Sequence, residues 1–180
     1  MKYLLVILIA LTGCGGGGSS SKPQPQSVVM YCDSMGLDGE MGSWLDMMGD
    51  ITQVETYSFC VGGIRIRDYP LEDKIIELGT DHKYAIVALG INDYKDNLIE
   101  TLNLYEDFIL RVEELGMEPV CFTYPANSAI PTTKELNEGI RSICANRKII
   151  TSSTQVYDYI HFNNQGKMET AVNAARVMYP

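Results

Sequence analysis

Histidine is scarce in this chain, with two residues in 180, and tryptophan occurs once, as Trp44. Basic residues are also few: 14 Lys and Arg stand against 23 Asp and Glu, for a net charge of −9. That balance argues against nucleic acid or anionic lipid headgroups as partners. There is no closely spaced Cys/His cluster, no His-Glu-x-x-His and no run of loop carboxylates at calcium spacing, so no metal is expected. A phosphate-cradling glycine loop is missing too, because Gly15–Gly18 precede no helical pattern. No cofactor is therefore expected. No internal repeat is evident, and 180 residues suit one domain with a full core rather than two.

The opening residues read as an address. Met1-Lys2 supplies a positive charge and Tyr3 to Leu11 a short apolar core, far below membrane-spanning length. Leu11-Thr12-Gly13-Cys14 resembles a bacterial lipobox, so residues 1–14 are expected to be a lipoprotein signal peptide with Cys14 lipidated. An ordinary signal peptide with an incidental Cys is the blander alternative. Residues 15–26, Gly-rich, then Ser-rich, then Pro/Gln, form an expected flexible tether reaching roughly 3 Å per extended residue. Gly after the Cys resembles an outer-membrane address, so an exported, envelope-anchored protein is expected. With Cys14 lipidated, Cys32, Cys60, Cys121 and Cys144 remain. Export permits disulfides, and Cys32 and Cys60 both end apolar runs, which would bring them close if those runs are neighbouring strands. The expectation nevertheless is four unpaired, buried thiols.

Over residues 27–180, short apolar runs alternate with helical periodicity. Strands are expected at Val28–Cys32, Gln53–Cys60, Tyr84–Leu89, Pro119–Tyr124 and Lys148–Ser152. Helices are expected around Met41–Met48, Leu71–Leu78, Asn97–Leu115, Thr133–Asn146 and Gln165–Met178. The longest carries Leu98, Leu102, Tyr105, Phe108, Ile109 and Val112 as one stripe and stops at Gly116. Such alternation builds parallel βαβ units, hence a three-layer α/β/α sandwich on a mostly parallel five-stranded sheet of the flavodoxin-like type. Ligands on such sheets bind beyond the carboxyl ends of the strands.

Each chemically suggestive block sits at such an end. Asp33-Ser34 follows the first strand, Gly62-Gly63 the second, and Gly90-Ile91-Asn92-Asp93 the third, while Asp158-x-x-His161 precedes the last helix. These four blocks, in this order and spanning nearly the whole domain, resemble the SGNH hydrolases, also called GDSL esterases/lipases. The first block departs from the family pattern, with Cys32 where Gly is usual.

The resemblance implies Ser34 as nucleophile, His161 as general base and Asp158 as the carboxylate orienting the imidazole. It implies an oxyanion hole made of the Ser34 and Gly63 backbone N–H groups and the Asn92 side-chain amide, with Gly62 the competing assignment to Gly63. Asp33 and Asp93 read as loop-shaping hydrogen bonders, and His82, ahead of the third strand, as a solvated surface residue. Each site residue also has a blander role open to it: Ser34 as a helix cap, Asn92 and Asp93 as a capping pair, His161 as a loop histidine.

The function implied is ester hydrolysis through an acyl-enzyme. Little lies between Asn92 and Asp158 beyond core elements, which favours short acyl groups, such as O-acetyl groups on envelope or extracellular polysaccharide. Tyr94 and Tyr124 could line a sugar site or simply pack the loops. A lipase, lysophospholipase or thioesterase, an acyltransferase, and a catalytically silent binding lipoprotein remain alternatives on the same scaffold.

Overall fold

A computed structural model of the chain describes residues 27–36, 43–93, 97–125, 130, 132–156, 158 and 161–180. The expected signal peptide, Cys14 and tether lie outside the described residues, as does Tyr94.

Five parallel strands form one sheet in the order β2-β1-β3-β4-β5, with β1 Val28–Cys32, β2 Thr56–Cys60, β3 Tyr84–Ala88, β4 Glu118–Thr123 and β5 Lys148–Thr151. β1 and β3 are buried along their whole length, as their unbroken apolar sequences require of strands covered on both faces. β2, reading Thr-Tyr-Ser-Phe-Cys, lies at an edge and is half exposed. Chain order runs outward from β1 to β2, then doubles back through β3, β4 and β5. The crevice between the carboxyl ends of β1 and β3 is therefore the topological switch point, where open α/β sheets bind ligands.

Helices cover both faces: α1 Trp44–Thr52, α2 Leu71–Leu78, α3 Leu98–Glu114, α4 Thr133–Ile143 and α5 Asn164–Met178. α1 packs on α5, α3 packs on α4, and Arg111 of α3 grips Glu72 of α2 with 2.8 and 3.1 Å contacts. The core is one continuous cluster through the sheet, with Trp44 stacked on Phe122 at 5.5 Å between ring centroids. The buried Tyr105 hydroxyl donates to the Val87 carbonyl at 3.0 Å, so its burial leaves no orphaned polar group.

Three expectations change. α1 begins later than expected and runs on to Thr52, because Ser43 and Asp46 form a capping box at its start and Gln53 ends it in the left-handed conformation (φ 56°). That shortens β2 to Thr56–Cys60. The four cysteines are not free: Cys32 bonds Cys60 and Cys121 bonds Cys144. Parallel in-register pairing sets Cys32 opposite Cys60 with Cα atoms 4.4 Å apart, and α4 returns its C-cap residue Cys144 over the middle of β4. His82 is not solvated but 8% exposed, bonded through Nδ1 to Ser27 Oγ at 2.9 Å and packed against the Tyr57 ring. Its neighbours in space come from the starts of β1 and β2, which proximity in sequence does not reveal.

Candidate active site

β1 ends in a turn shaped by its own side chains. Asp33 continues the ladder through its N–H to the Ala88 carbonyl (3.2 Å), and its Oδ1 accepts the Met35 N–H at 3.0 Å. Ser34–Gly36 close into one 3-10 turn, locked from below by the Trp44 indole N–H, which donates to the Met35 carbonyl at 3.2 Å. The result is a half-buried Ser34 standing at the strand's carboxyl end on a rigid support.

The partner histidine comes from 127 positions away. Val156 and Phe162 form an isolated antiparallel bridge, and the Asn163 N–H donates to the Gln155 carbonyl at 3.1 Å, which draws the chain before Asp158 and the chain after His161 into one loop base. Gly166 lets α5 press against that loop: a Cβ there would stand 2.0 Å from the Gln155 carbonyl oxygen. From this loop His161 Nε2 reaches Ser34 Oγ at 3.0 Å. Asp158 holds the histidine twice, with Oδ2 on ring Nδ1 and Oδ1 on the His161 backbone N–H, both at 2.7 Å. An ionised carboxylate only accepts hydrogen bonds, so Nδ1 carries the proton and Nε2 is left to accept from the serine hydroxyl. Both His161 and Asp158 side chains are about one-third exposed, at 35% and 37%, so solvent or a substrate reaches them.

The third strand contributes Asn92 from a 3-10 turn, Ile91–Asp93, that follows Gly90 at φ 112°. Asn92 Nδ2 donates to the Ile64 carbonyl at 3.0 Å, and Asp93 Oδ2 accepts the Ile66 N–H at 3.1 Å. Asn92 and Asp93 together therefore clamp the segment that follows Gly62-Gly63. One amide hydrogen of Asn92 is thus committed to the scaffold, and the amide has a second. Gly63 has φ 75°, a conformation that glycine adopts without cost. No protein atom lies within 4 Å of where its Cβ would stand, so the backbone angle, not crowding by protein, demands glycine there. Among the described residues, none accepts a hydrogen bond from the N–H of Ser34, Gly62 or Gly63.

Beneath the turn lies a buried acidic layer. Asp33 is fully buried, and burial above all pushes its carboxyl up to about 7. The Met35 N–H and the Tyr124 hydroxyl oppose that shift, and the Asp93 charge adds to it. Tyr124 is 2% exposed, with its hydroxyl 3.5 Å from Asp33 Oδ2. Burial, then the neighbouring Asp33 charge, raises this phenol well above its ordinary value, so it stays a donor. Of the two placements open to Tyr124, lining a sugar site or packing the loop, it takes the second.

The structure thus joins Ser34, His161 and Asp158 in one hydrogen-bonded chain, and sets Asn92 against the Gly63 loop. Sequence reading missed Trp44 and Gly166 as supports of the site. A lone tryptophan ten residues after the serine was the only available signal for the first. Among the described residues, no group of three or more His, Cys, Asp or Glu side chains could hold a metal ion.

No family model matches the chain, and no curated protein matches it in sequence. Its fold, however, has close counterparts among solved structures. A G-D-S-L family protein from Desulfitobacterium hafniense, described as putatively lipolytic, superposes with a TM-score of 0.73 at 18% identity, over 84% of this chain and 99% of that one. An acetyl xylan esterase gives 0.71 at 15% identity, over 82% and 97%. A lipase/acylhydrolase from Enterococcus faecalis gives 0.69 at 16%, over 84% and 94%. The fold is that of the SGNH, or GDSL, hydrolases.

Proposed function

We propose that the chain is a serine ester hydrolase working through an acyl-enzyme. The observation that carries this reading is the continuous chain Ser34 Oγ, His161 Nε2, His161 Nδ1, Asp158 Oδ2, with links of 3.0 and 2.7 Å, at the switch point of the sheet. Ser34 Oγ attacks the ester carbonyl carbon as His161 Nε2 takes its proton. Asp158 stabilises the resulting imidazolium and keeps the ring in the productive tautomer. The carbonyl oxygen becomes an oxyanion, which the Ser34 N–H, the Gly63 N–H and the second Asn92 amide hydrogen receive. His161 then gives its proton to the leaving alkoxide, and the alcohol departs. A water, deprotonated by the same imidazole, attacks the acyl-serine and releases the acid.

Gly63 is preferred to Gly62 because its left-handed backbone lies next to Ile64, whose carbonyl is held by Asn92. The preferred substrate is a short O-acyl, above all O-acetyl, ester of envelope or extracellular carbohydrate. In support, the elements between Asn92 and Asp158 are those the sheet itself requires, α3, β4, α4 and β5, and one similar fold is an acetyl xylan esterase. Lipid esters are the second reading, favoured by the lipase/acylhydrolase of the same fold. Lipidation at Cys14 and export to the cell envelope complete the proposal. Two disulfides support export, because such bonds persist in oxidising compartments.

The test is hydrolysis of p-nitrophenyl acetate, butyrate and octanoate by residues 27–180, beside Ser34→Ala. Activity on the short esters that vanishes in the variant is the expected result. A preference for octanoate moves the substrate to lipids. No turnover and no labelling by a fluorophosphonate would make the chain a silent binding lipoprotein.

A further inference from the structure

The disulfide between Cys32 and Cys60 lies directly under the proposed chemistry. Cys32 is two residues before Ser34, and Cys60 is two and three residues before Gly62 and Gly63. The bond therefore ties the strand that presents the nucleophile to the strand that presents the backbone oxyanion donor. Its sulfurs also touch the nucleophile turn itself: a Cβ on Gly36 would stand 2.5 Å from Cys32 Sγ and 2.6 Å from Cys60 Sγ. The turn rests on the disulfide, with no room for a side chain between them.

β2 needs such an anchor. It is an edge strand, half exposed, with β1 its one neighbour in the sheet among the described residues. Past its end, Gly62 and Gly63 carry no side chains to pack. Downstream they are held by the Asn92 and Asp93 contacts to Ile64 and Ile66. Upstream they are held by the Val61 N–H on the Cys32 carbonyl, at 3.0 Å, and by the disulfide. A strand that can fray or slide by a fraction of a residue would carry Gly63 away from Ser34, and a misplacement of about 1 Å costs on the order of 100-fold in rate.

Resting on the serine hydrolase reading, we infer that the Cys32–Cys60 disulfide is a positioning element of the active site, fixing the Gly63 donor relative to Ser34. It also gives a purpose to Cys32 standing where the family pattern has glycine. The second disulfide is a built-in control. Cys121–Cys144 closes a loop of 23 residues against 28, so its chain-entropy contribution is similar, yet it joins the middle of β4 to the end of α4, elements that carry neither Ser34 nor Gly63.

The experiment uses the full chain carrying Cys121→Ala and Cys144→Ala, so that dithiothreitol has one disulfide to open, confirmed by alkylation and mass spectrometry. kcat and KM for p-nitrophenyl acetate, and the rate of fluorophosphonate labelling, are compared before reduction, after it and after reoxidation. The expected result is a fall of about 10- to 100-fold in kcat and labelling, with KM changed less than about threefold, reversed by reoxidation. Cys32→Val with Cys60→Val, which keeps apolar volume in place of the sulfurs, is expected to show the same split should reduction unfold the chain. Unchanged kcat and labelling in the reduced protein, or in the valine pair, overturns the inference and leaves the hydrolase standing. An oxidised wild type that neither turns over nor labels overturns both.

Discussion

The chain has two histidines, and each faces a serine hydroxyl, one at either end of the sheet. At the carboxyl end, His161 Nε2 lies 3.0 Å from Ser34 Oγ; at the amino end, His82 Nδ1 lies 2.9 Å from Ser27 Oγ. By distance alone the pairs are equivalent. Their surroundings are not. His161 is about one-third exposed and carries a carboxylate on its other nitrogen, 2.7 Å away. His82 and Ser27 are 8% and 9% exposed, the serine also donates to the Asp81 carbonyl, and Tyr57 covers the ring. The Ser34 pair stands beside Asn92 and the Gly63 loop, whereas the Ser27 pair sits where β1 and β3 begin. A serine and a histidine in contact make a structural pin by default. An oriented imidazole, access, and donors aimed at a developing charge turn the same contact into a candidate for catalysis.

The sharpest way to break this comparison is to remove the feature that one pair has. Asp158→Asn should lower kcat about 10,000-fold by releasing the histidine tautomer, with little change in fold. His82→Gln and Ser27→Ala should leave kcat within about twofold and lower stability by about 1 kcal/mol, read as a shift in Tm. Comparable losses of activity from both ends would mean that the pairs are not distinguished as proposed.

A smaller effect is expected at Asn92. Asn92→Ala should reduce kcat about 100- to 1000-fold with a modest change in KM, because the amide acts on the oxyanion more than on bound ester. The same variant loses the hold on Ile64, so a change confined to KM would reassign Asn92 to loop support.

The smallest effect concerns the buried acid beneath the nucleophile. Asp33 binds its proton more tightly in the folded state than in the unfolded one, where a carboxyl titrates near 4. Its folded-state value is about 7. Between those values the folded protein holds the extra proton, so this group's contribution to stability is full below about pH 4, declines as pH rises, and is level above about 7. The slope is at most about 1.4 kcal/mol per pH unit. Urea unfolding from pH 4 to 8 should show it, and Asp33→Asn should flatten it. A wild-type profile without that decline would mean that Asp33 stays ionised.

Much of the fold could be read directly. Uniformly apolar runs such as Val28–Cys32 and Tyr84–Ala88 require burial on both faces, and the stripe from Leu98 to Val112 requires a long amphipathic helix. The start of β2 was misplaced because Gln53, a polar residue at φ 56°, ends a helix that no glycine or proline announces. The candidate site was legible because its four blocks lie at strand ends, and strand ends can be found from periodicity. Trp44 and Gly166 were not legible, since each acts through one contact with a segment distant in sequence.

The sequence by itself determined the alternation of strands and helices, the parallel sheet that follows from it, and the residues able to do acyl chemistry. Those depend on local pattern and on functional groups, which a linear chain displays. Only the tertiary structure decided which histidine meets which serine with a carboxylate behind it, that His82 is buried, and that four cysteines make two bonds. Each of these depends on segments far apart along the chain, brought together by strand order and register, and none is a property of any short stretch of residues.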